Sequence, residues 1–166
     1  GRIFQEVEED KGQYNDSREV FWASGACLFI QASSYHQMGG FDEDFFAHME
    51  EIDLCWRLKN KGKKIYYCGK STVYHVGGGT LSYDNPKKTF LNFRNSLFMI
   101  VKNYDGLLFP KLFWRMILDG LGGSVFLVKG QFAHFAAVIK AHFQLYKSLL
   151  KFLKKRKHLK SDQPPN

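Results

Sequence analysis

The sequence predicts an α/β fold in two parts. Short mixed strands and helices fill residues 1–103, and an all-helical, basic, amphipathic tail fills residues 104–166. Three observations predict this. Short β-branched or aromatic runs alternate with helical patterns as far as Asn103. Beyond it, Ile139, Phe143, Tyr146, Leu150 and Leu153 recur in steps of four and three, which marks one helical face. The charge also shifts: residues 1–19 hold six acids and three bases, whereas residues 102–160 hold twelve bases and two acids, Asp105 and Asp119. With 166 residues, 45% hydrophobic and 16% aromatic, the chain can bury a sizeable core and is too apolar to be disordered.

The elements follow in order. Val20 to Ile30 (VFWASGACLFI) is almost all apolar or small, and predicts a buried strand broken near Ser24-Gly25. Ser33 to Met38 predicts one helical turn, capped by Ser33 or Ser34. Gly39-Gly40-Phe41-Asp42 is a turn. Met49 to Asn60 predicts a helix: Glu50, Glu51 and Asp53 suit the positive end of its dipole, Asp53 can pair with Arg57 at i,i+4, and Gly62 stops it. Lys64 to Cys68 and Thr72 to Val76 predict strands, separated by a turn; Gly77-Gly78-Gly79 is a loop. Pro86 to Asn103 predicts a helix with proline at its start.

In the second part, Leu107 to Val128 is apolar but interrupted by Lys111, Arg115 and Asp119, so its longest uncharged stretch is Gly120 to Val128. A membrane span needs about 20 apolar residues. The expectation is therefore of helices lying on a membrane rather than through it. The basic tail, with Lys140, Lys147, Lys151, Lys154, Lys155, Arg156 and Lys157, asks for an anionic partner. Nucleic acid is not expected, because the tail has no reader motif and no aromatic–basic platform beyond Phe152. The apolar tail face leaves room for two chains to pair. Three cysteines, Cys27, Cys55 and Cys68, form no C-x-x-C pair, so neither a disulfide framework nor a cysteine zinc site is expected. Cys55 and Cys68 are expected to be buried thiols in a reducing compartment. No secretory signal opens the sequence, and the expected location is cytoplasmic, peripheral on the inner face of the cell membrane.

Three pieces occur in fixed order: G-G-F-D-E-D-F-F (Gly39 to Phe46), E-E-I-D-L-C-W-R (Glu50 to Arg57) and V-Y-H-V-G-G-G (Val73 to Gly79), with Arg94-Asn95 on the next helix. This ordered set resembles the C-terminal half of family-2 glycosyltransferases of GT-A type, the rhamnosyl- and galactofuranosyl-transferase-like group. It covers roughly Val20 to Asn103. The resemblance implies that residues 1–103 are the acceptor-side part of a GT-A domain and that residues 104–166 form a membrane-associating tail. It implies an inverting transfer, in which a carboxylate takes the acceptor proton while a divalent metal, Mn2+ or Mg2+, supports the departing diphosphate. The partners implied are a nucleotide-sugar donor and a cell-surface or lipid-linked glycan acceptor. The family's donor-binding βαβ half has no counterpart among these residues, so the chain alone is expected to be inactive. The other reading of the sequence is a non-catalytic membrane-surface module.

Carried over position by position, the resemblance makes Glu51 the base. The family usually has Asp there, so Glu51 is one methylene longer. Glu50 and Asp53 are the neighbouring candidates; all three also suit a solvated helix start. His75 matches a histidine that in some members ligates the metal, and otherwise reads as a hydrogen-bonded strand-end residue. Gly25 lies where the acceptor approaches, or marks a strand bulge. Trp22 stacks on a sugar or belongs to the core. Asp42 touches the acceptor, or caps and braces its loop; Asp42-Glu43-Asp44 is not taken as a metal motif. Arg94 reaches diphosphate or makes a surface ion pair.

Overall fold

The computed structural model describes residues 9–75 and 84–161. Within them the chain is mostly helical, with one small antiparallel sheet. Strands β1 (Ser17–Val20) and β2 (Ile65–Cys68) pair so that Ser17 faces Cys68 and Val20 faces Ile65. The helices are α1 (Ala32–Gln37), α2 (Glu50–Asn60), α3 (Pro86–Asn103), α4 (Leu108–Val128) and α5 (Phe132–Ser161); a 3-10 turn, Glu43–Phe45, precedes α2.

Helix α3 is central. Asn85 caps it by accepting the Lys87 N–H at 2.9 Å, and Pro86 occupies its first turn, where no hydrogen bond is lost. Its buried residues, from Leu91 to Asn103, lie all round the helix, as expected where neighbours cover every side. One core runs from Phe45, Met49 and Ile52 through Leu97, Phe98, Ile100 and Val101 to Leu108, Leu112, Leu145 and Phe152. Phe152 of α5 stacks on Phe98 of α3 with ring centroids 4.0 Å apart. A second cluster joins Phe93 to Val138 and Ala141. Helices α3 and α5 thus share the interior, and α4 packs along both.

The predicted helices and the strand at Lys64 to Cys68 form close to their expected limits. Three expectations are corrected. Val20 to Ile30 is not a strand: β1 ends at Val20, and the residues after it form a loop. No described strand lies beside that segment to take its backbone hydrogen bonds, and Phe29 is 92% exposed. Thr72 to His75 is likewise without strand structure, while Val76 to Gly79 lie outside the described residues. Helix α1 is capped by Gln31 rather than by Ser33 or Ser34; the Ser34 hydroxyl donates instead to the Gln31 side chain at 3.3 Å.

Two glycine sites position the rest. Gly39 and Gly40 take φ of 74° and 68° in the turn after α1, a region open to glycine at little cost. At Gly69 a side chain would lie 2.2 Å from the Tyr14 carbonyl, so only glycine lets the two chain segments cross after β2. Cys55 is buried as expected, whereas Cys68, at the end of the two-stranded ribbon, is exposed. Helix α5 carries two apolar faces, and the one that the periodicity marks stays outward. The face that packs is Val138, Ala141, Leu145 and Phe152, whereas Ile139, Phe143, Tyr146 and Leu150 point outward.

Candidate active site around the start of helix α2

The approach to α2 is strained. Phe46, His48 and Met49 all have positive φ, of 63°, 68° and 74°. Each such residue costs on the order of 1 kcal/mol, so surrounding contacts must enforce the shape. Those contacts come from α3. The fully buried Asn95 amide donates to the carbonyls of Phe45, Ala47 and His48 at 2.9, 2.8 and 2.6 Å. Arg94 donates to the backbone carbonyls of Asp44 and Phe45 and to the Asn95 side-chain oxygen Oδ1. Its guanidinium lies against the rings of Phe90 and Phe98.

This loop delivers Glu50 and Glu51 as the first two residues of α2. Glu51 is 9% exposed. Its side chain borders Gly25: a Cβ on that glycine would sit 3.8, 3.9 and 4.0 Å from Glu51 Cβ, Cγ and Cδ. The structure therefore brings together two residues that the sequence places in one site. Glu50 is half-buried, and its Oε2 has no hydrogen-bond partner among the described residues. One turn on from Glu51, Cys55 lines a cleft of about 650 Å3 together with Trp22, Ser24, Phe29 and residues of β2. Trp22 is 37% exposed there and is not a core residue. Burial pushes the Cys55 thiol upward, the nearby Glu51 carboxylate adds to this, and the thiol stays protonated.

A second cluster lies beneath. Asp53 is fully buried and committed to neighbours: Oδ2 accepts from Arg57 Nε and Lys102 Nζ, both at 2.9 Å, and Oδ1 accepts from Asn103 at 2.7 Å. Arg57 also donates to the carbonyls of Met38 and Gly40, which latches the glycine turn to α2. Lys102 reaches Asp42 at 2.7 Å, and Lys155 of α5 reaches both Asp42 and Asp44. Burial works to raise the Asp42 carboxyl, but the two ammonium groups outweigh it and hold it down at about 2. Lys151 adds a further pair with Asp44 at 2.5 Å. Asp42 also caps the 3-10 turn by accepting the Asp44 N–H at 3.1 Å.

Several of these roles escape sequence reasoning. Lys151 and Lys155 hold acidic groups of the site loop although they look like part of a solvated tail, Lys102 bridges Asp42 of the loop to Asp53 of α2, and Asn103 holds Asp53. Asn95 stands beside Arg94 in the motif, and that adjacency was the one available signal. His75 is exposed, and among the described residues no group of three His, Cys, Asp or Glu is placed to hold a metal. The described residues do not by themselves form a divalent-metal site.

By sequence the chain is similar, over about half its length, to curated sugar-transferring enzymes, rhamnosyltransferases among them. It is 29% identical over 99 residues to an N-acetylglucosaminyl-diphospho-decaprenol L-rhamnosyltransferase of Mycobacterium tuberculosis, covering 60% of this chain and 32% of that protein. It is 27% identical over 85 residues to a low-salt glycan biosynthesis hexosyltransferase of Haloferax volcanii, covering 51% of this chain and 28% of the relative. A rhamnosyltransferase of Escherichia coli K12 is 35% identical over 54 residues, 32% of this chain and 20% of its own length. The chain thus spans about a third or less of the curated relatives it matches. No family model and no solved structure matches it. These relatives are all transferases and do not favour a non-catalytic module. No helix among the described residues is long and apolar enough to cross a membrane.

Proposed function

We propose that the chain is the acceptor-binding, base-bearing part of an inverting GT-A glycosyltransferase, with Glu51 as the base. The observation that carries this reading is that Glu51, at the start of α2, lies where a side chain on Gly25 would meet it. A carboxylate there lies beside a residue without a side chain, at the end of a loop held in a costly shape by α3. Strain maintained in this way is common where geometry must be fixed.

The step needs one base. The acceptor hydroxyl oxygen attacks the anomeric carbon of the nucleotide sugar, and its proton passes to the Glu51 carboxylate. The bond from the anomeric carbon to the diphosphate oxygen breaks, and the nucleoside diphosphate leaves with the electron pair. Glu50 and Trp22 border the acceptor. Asp53, Asp42 and Arg94 serve by holding the loop and α2 in place, so in this reading Arg94 braces backbone rather than binding diphosphate. The donor-binding half belongs to the part of the enzyme outside these residues, in keeping with the much greater length of the relatives. Mn2+ or Mg2+ would be held mainly there, with His75 supplying at most one ligand. The acceptor is a cell-surface or lipid-linked glycan, as the diphospho-decaprenol in one relative's name suggests. The enzyme works as a peripheral protein on the cytoplasmic face of the membrane.

The test has two arms. The 166-residue chain alone should show no thermal shift with nucleoside diphosphates, with or without Mn2+; a metal-dependent shift abolished by His75→Ala would show instead that a phosphate site is complete here. In the whole enzyme, Glu51→Gln should lower kcat by about 10²- to 10⁴-fold, the usual range for a general base, and leave donor binding unchanged. Full activity in that variant would remove Glu51 from the role.

A further inference from the structure

Helices α4 and α5 carry apolar side chains that none of the described residues covers. On α4, Phe109, Phe113, Trp114, Leu118 and Leu121 are each more than 60% exposed. On α5, Phe143, Tyr146 and Leu150 stand outward while the opposite face packs on α3. The two exposed faces adjoin. Tyr146 Oη reaches Met116 Sδ at 3.7 Å across the helix pair, and the helices run antiparallel through the short turn at Lys129 and Gly130. Isolated exposed apolar residues are ordinary, but a continuous band of this size marks an interaction surface.

The charge around the band selects its occupant. Lys140, Lys147 and Lys154 recur every seven residues and are all exposed, so they line one edge of the α5 face. Between Leu108 and Ser161 the single acid is Asp119, which is buried against Arg115 and His142. A second copy of this chain would meet the band with more lysine and no outward carboxylate to pair with it. An anionic bilayer offers both an apolar phase for the aromatic band and countercharge for the lysine row.

We propose that α4 and α5 together form a membrane-docking face, which lies flat on an anionic bilayer with Phe113, Trp114, Phe143 and Leu150 in the acyl boundary and the Lys140–Lys147–Lys154 row at the headgroups. The same α5 sends Lys151 and Lys155 to Asp42 and Asp44 of the site loop. The docking helix is thus bonded directly to the loop leading into α2, which sets the site at a fixed height above the bilayer, where a lipid-linked acceptor presents its sugar. This purpose rests on the transferase reading; the docking itself does not.

Vesicle flotation of the 166-residue chain tests it. The chain should float with phosphatidylcholine–phosphatidylglycerol vesicles, much less with phosphatidylcholine alone, and less as salt rises. Leu118→Glu with Phe143→Glu should abolish flotation while circular dichroism shows the helices intact, because both positions are exposed. As a second variant set, replacing Lys140, Lys147 and Lys154 by Gln should weaken binding about fivefold per lysine. Glu51→Gln should float like the unaltered chain, so loss of transfer and loss of docking are read separately. No flotation with anionic vesicles, or equal flotation of the Glu variants, would overturn the proposal. So would a dimer in sedimentation that the Glu variants convert to monomer without any vesicle binding, since that assigns the face to a second copy.

Discussion

At the scale of single residues, Asn95 shows how an adjacent pair in a motif divides its labour. Arg94 is the more conspicuous residue, yet the fully buried Asn95 amide contacts three loop carbonyls next to the positive-φ residues. Asn95→Ala removes those donors, with Ala47 and His48 the carbonyls most affected because Phe45 keeps Arg94, at a cost of about 1–3 kcal/mol. Urea unfolding should therefore show a lower midpoint with an unchanged slope. Asn95→Asp should be at least as damaging, because a carboxylate would then face carbonyl oxygens. Arg57 makes a harsher case: Arg57→Met strips the buried Asp53 of one of its two cations and frees the glycine turn, and should cost about 3–5 kcal/mol, read in the same titration. The Asp53–Arg57 pair was legible from its i,i+4 spacing. Lys102 and Asn103 as its other partners were not, because their contact depends on how α3 packs across α2.

Among the elements, legibility follows locality. Helices α2 and α3 carry their own punctuation in Glu50, Gly62 and Pro86, and their limits could be read from it, whereas the Asn85 cap emerged only in the structure. The segment after Val20 was misread because an apolar run states that something is to be covered, not by what. Helix α5 was half read. Its sequence holds two apolar faces, one for α3 and one outward, and periodicity cannot say which is which. Close packing of α4 on α5 sits where no motif pointed. A Cβ at Gly123 would lie 3.4 Å from the Phe135 ring and 3.7 Å from Val138, so the helices approach closely there. Gly123→Leu should wedge them apart and destabilise by about 1–3 kcal/mol. A thermal melt should record that loss, whereas Gly120→Leu, with nothing within 4 Å, should leave the midpoint nearly unchanged. If both variants melt alike, helix propensity and not packing governs α4.

For the molecule as a whole, the last described helix is tied to the site by charge. Lys151 and Lys155, late in α5, hold Asp42 and Asp44, and Lys102 of α3 joins them to Asp53. Asp42 lies at about 2, below its ordinary 3.8, and Asp44 is also lowered: burial alone would raise it, but Lys151 and Lys155 prevail. A carboxylate whose folded pKa is depressed stabilises the fold above its unfolded pKa, and that contribution fades as pH falls through the folded one. The contribution of Asp42 is accordingly complete above about pH 4 and lost on acidification toward pH 2. On this argument acid should first release α5 from the site loop while the Phe98–Phe152 stack still holds α5 to α3, because the stack carries no titrating group. Hydrogen exchange measured at pH 5 and near pH 2.5, corrected for intrinsic rates, should show protection lost at residues 42–48 before residues 93–101. In Lys151→Met with Lys155→Met the loop's protection should already be lower at pH 5 and depend less on acid, while Lys102, Arg94 and Asn95 still hold it. Simultaneous loss at both segments would mean that the charge cluster and the aromatic core form one cooperative unit. The site would then have no local route by which the docking helix could be uncoupled from it.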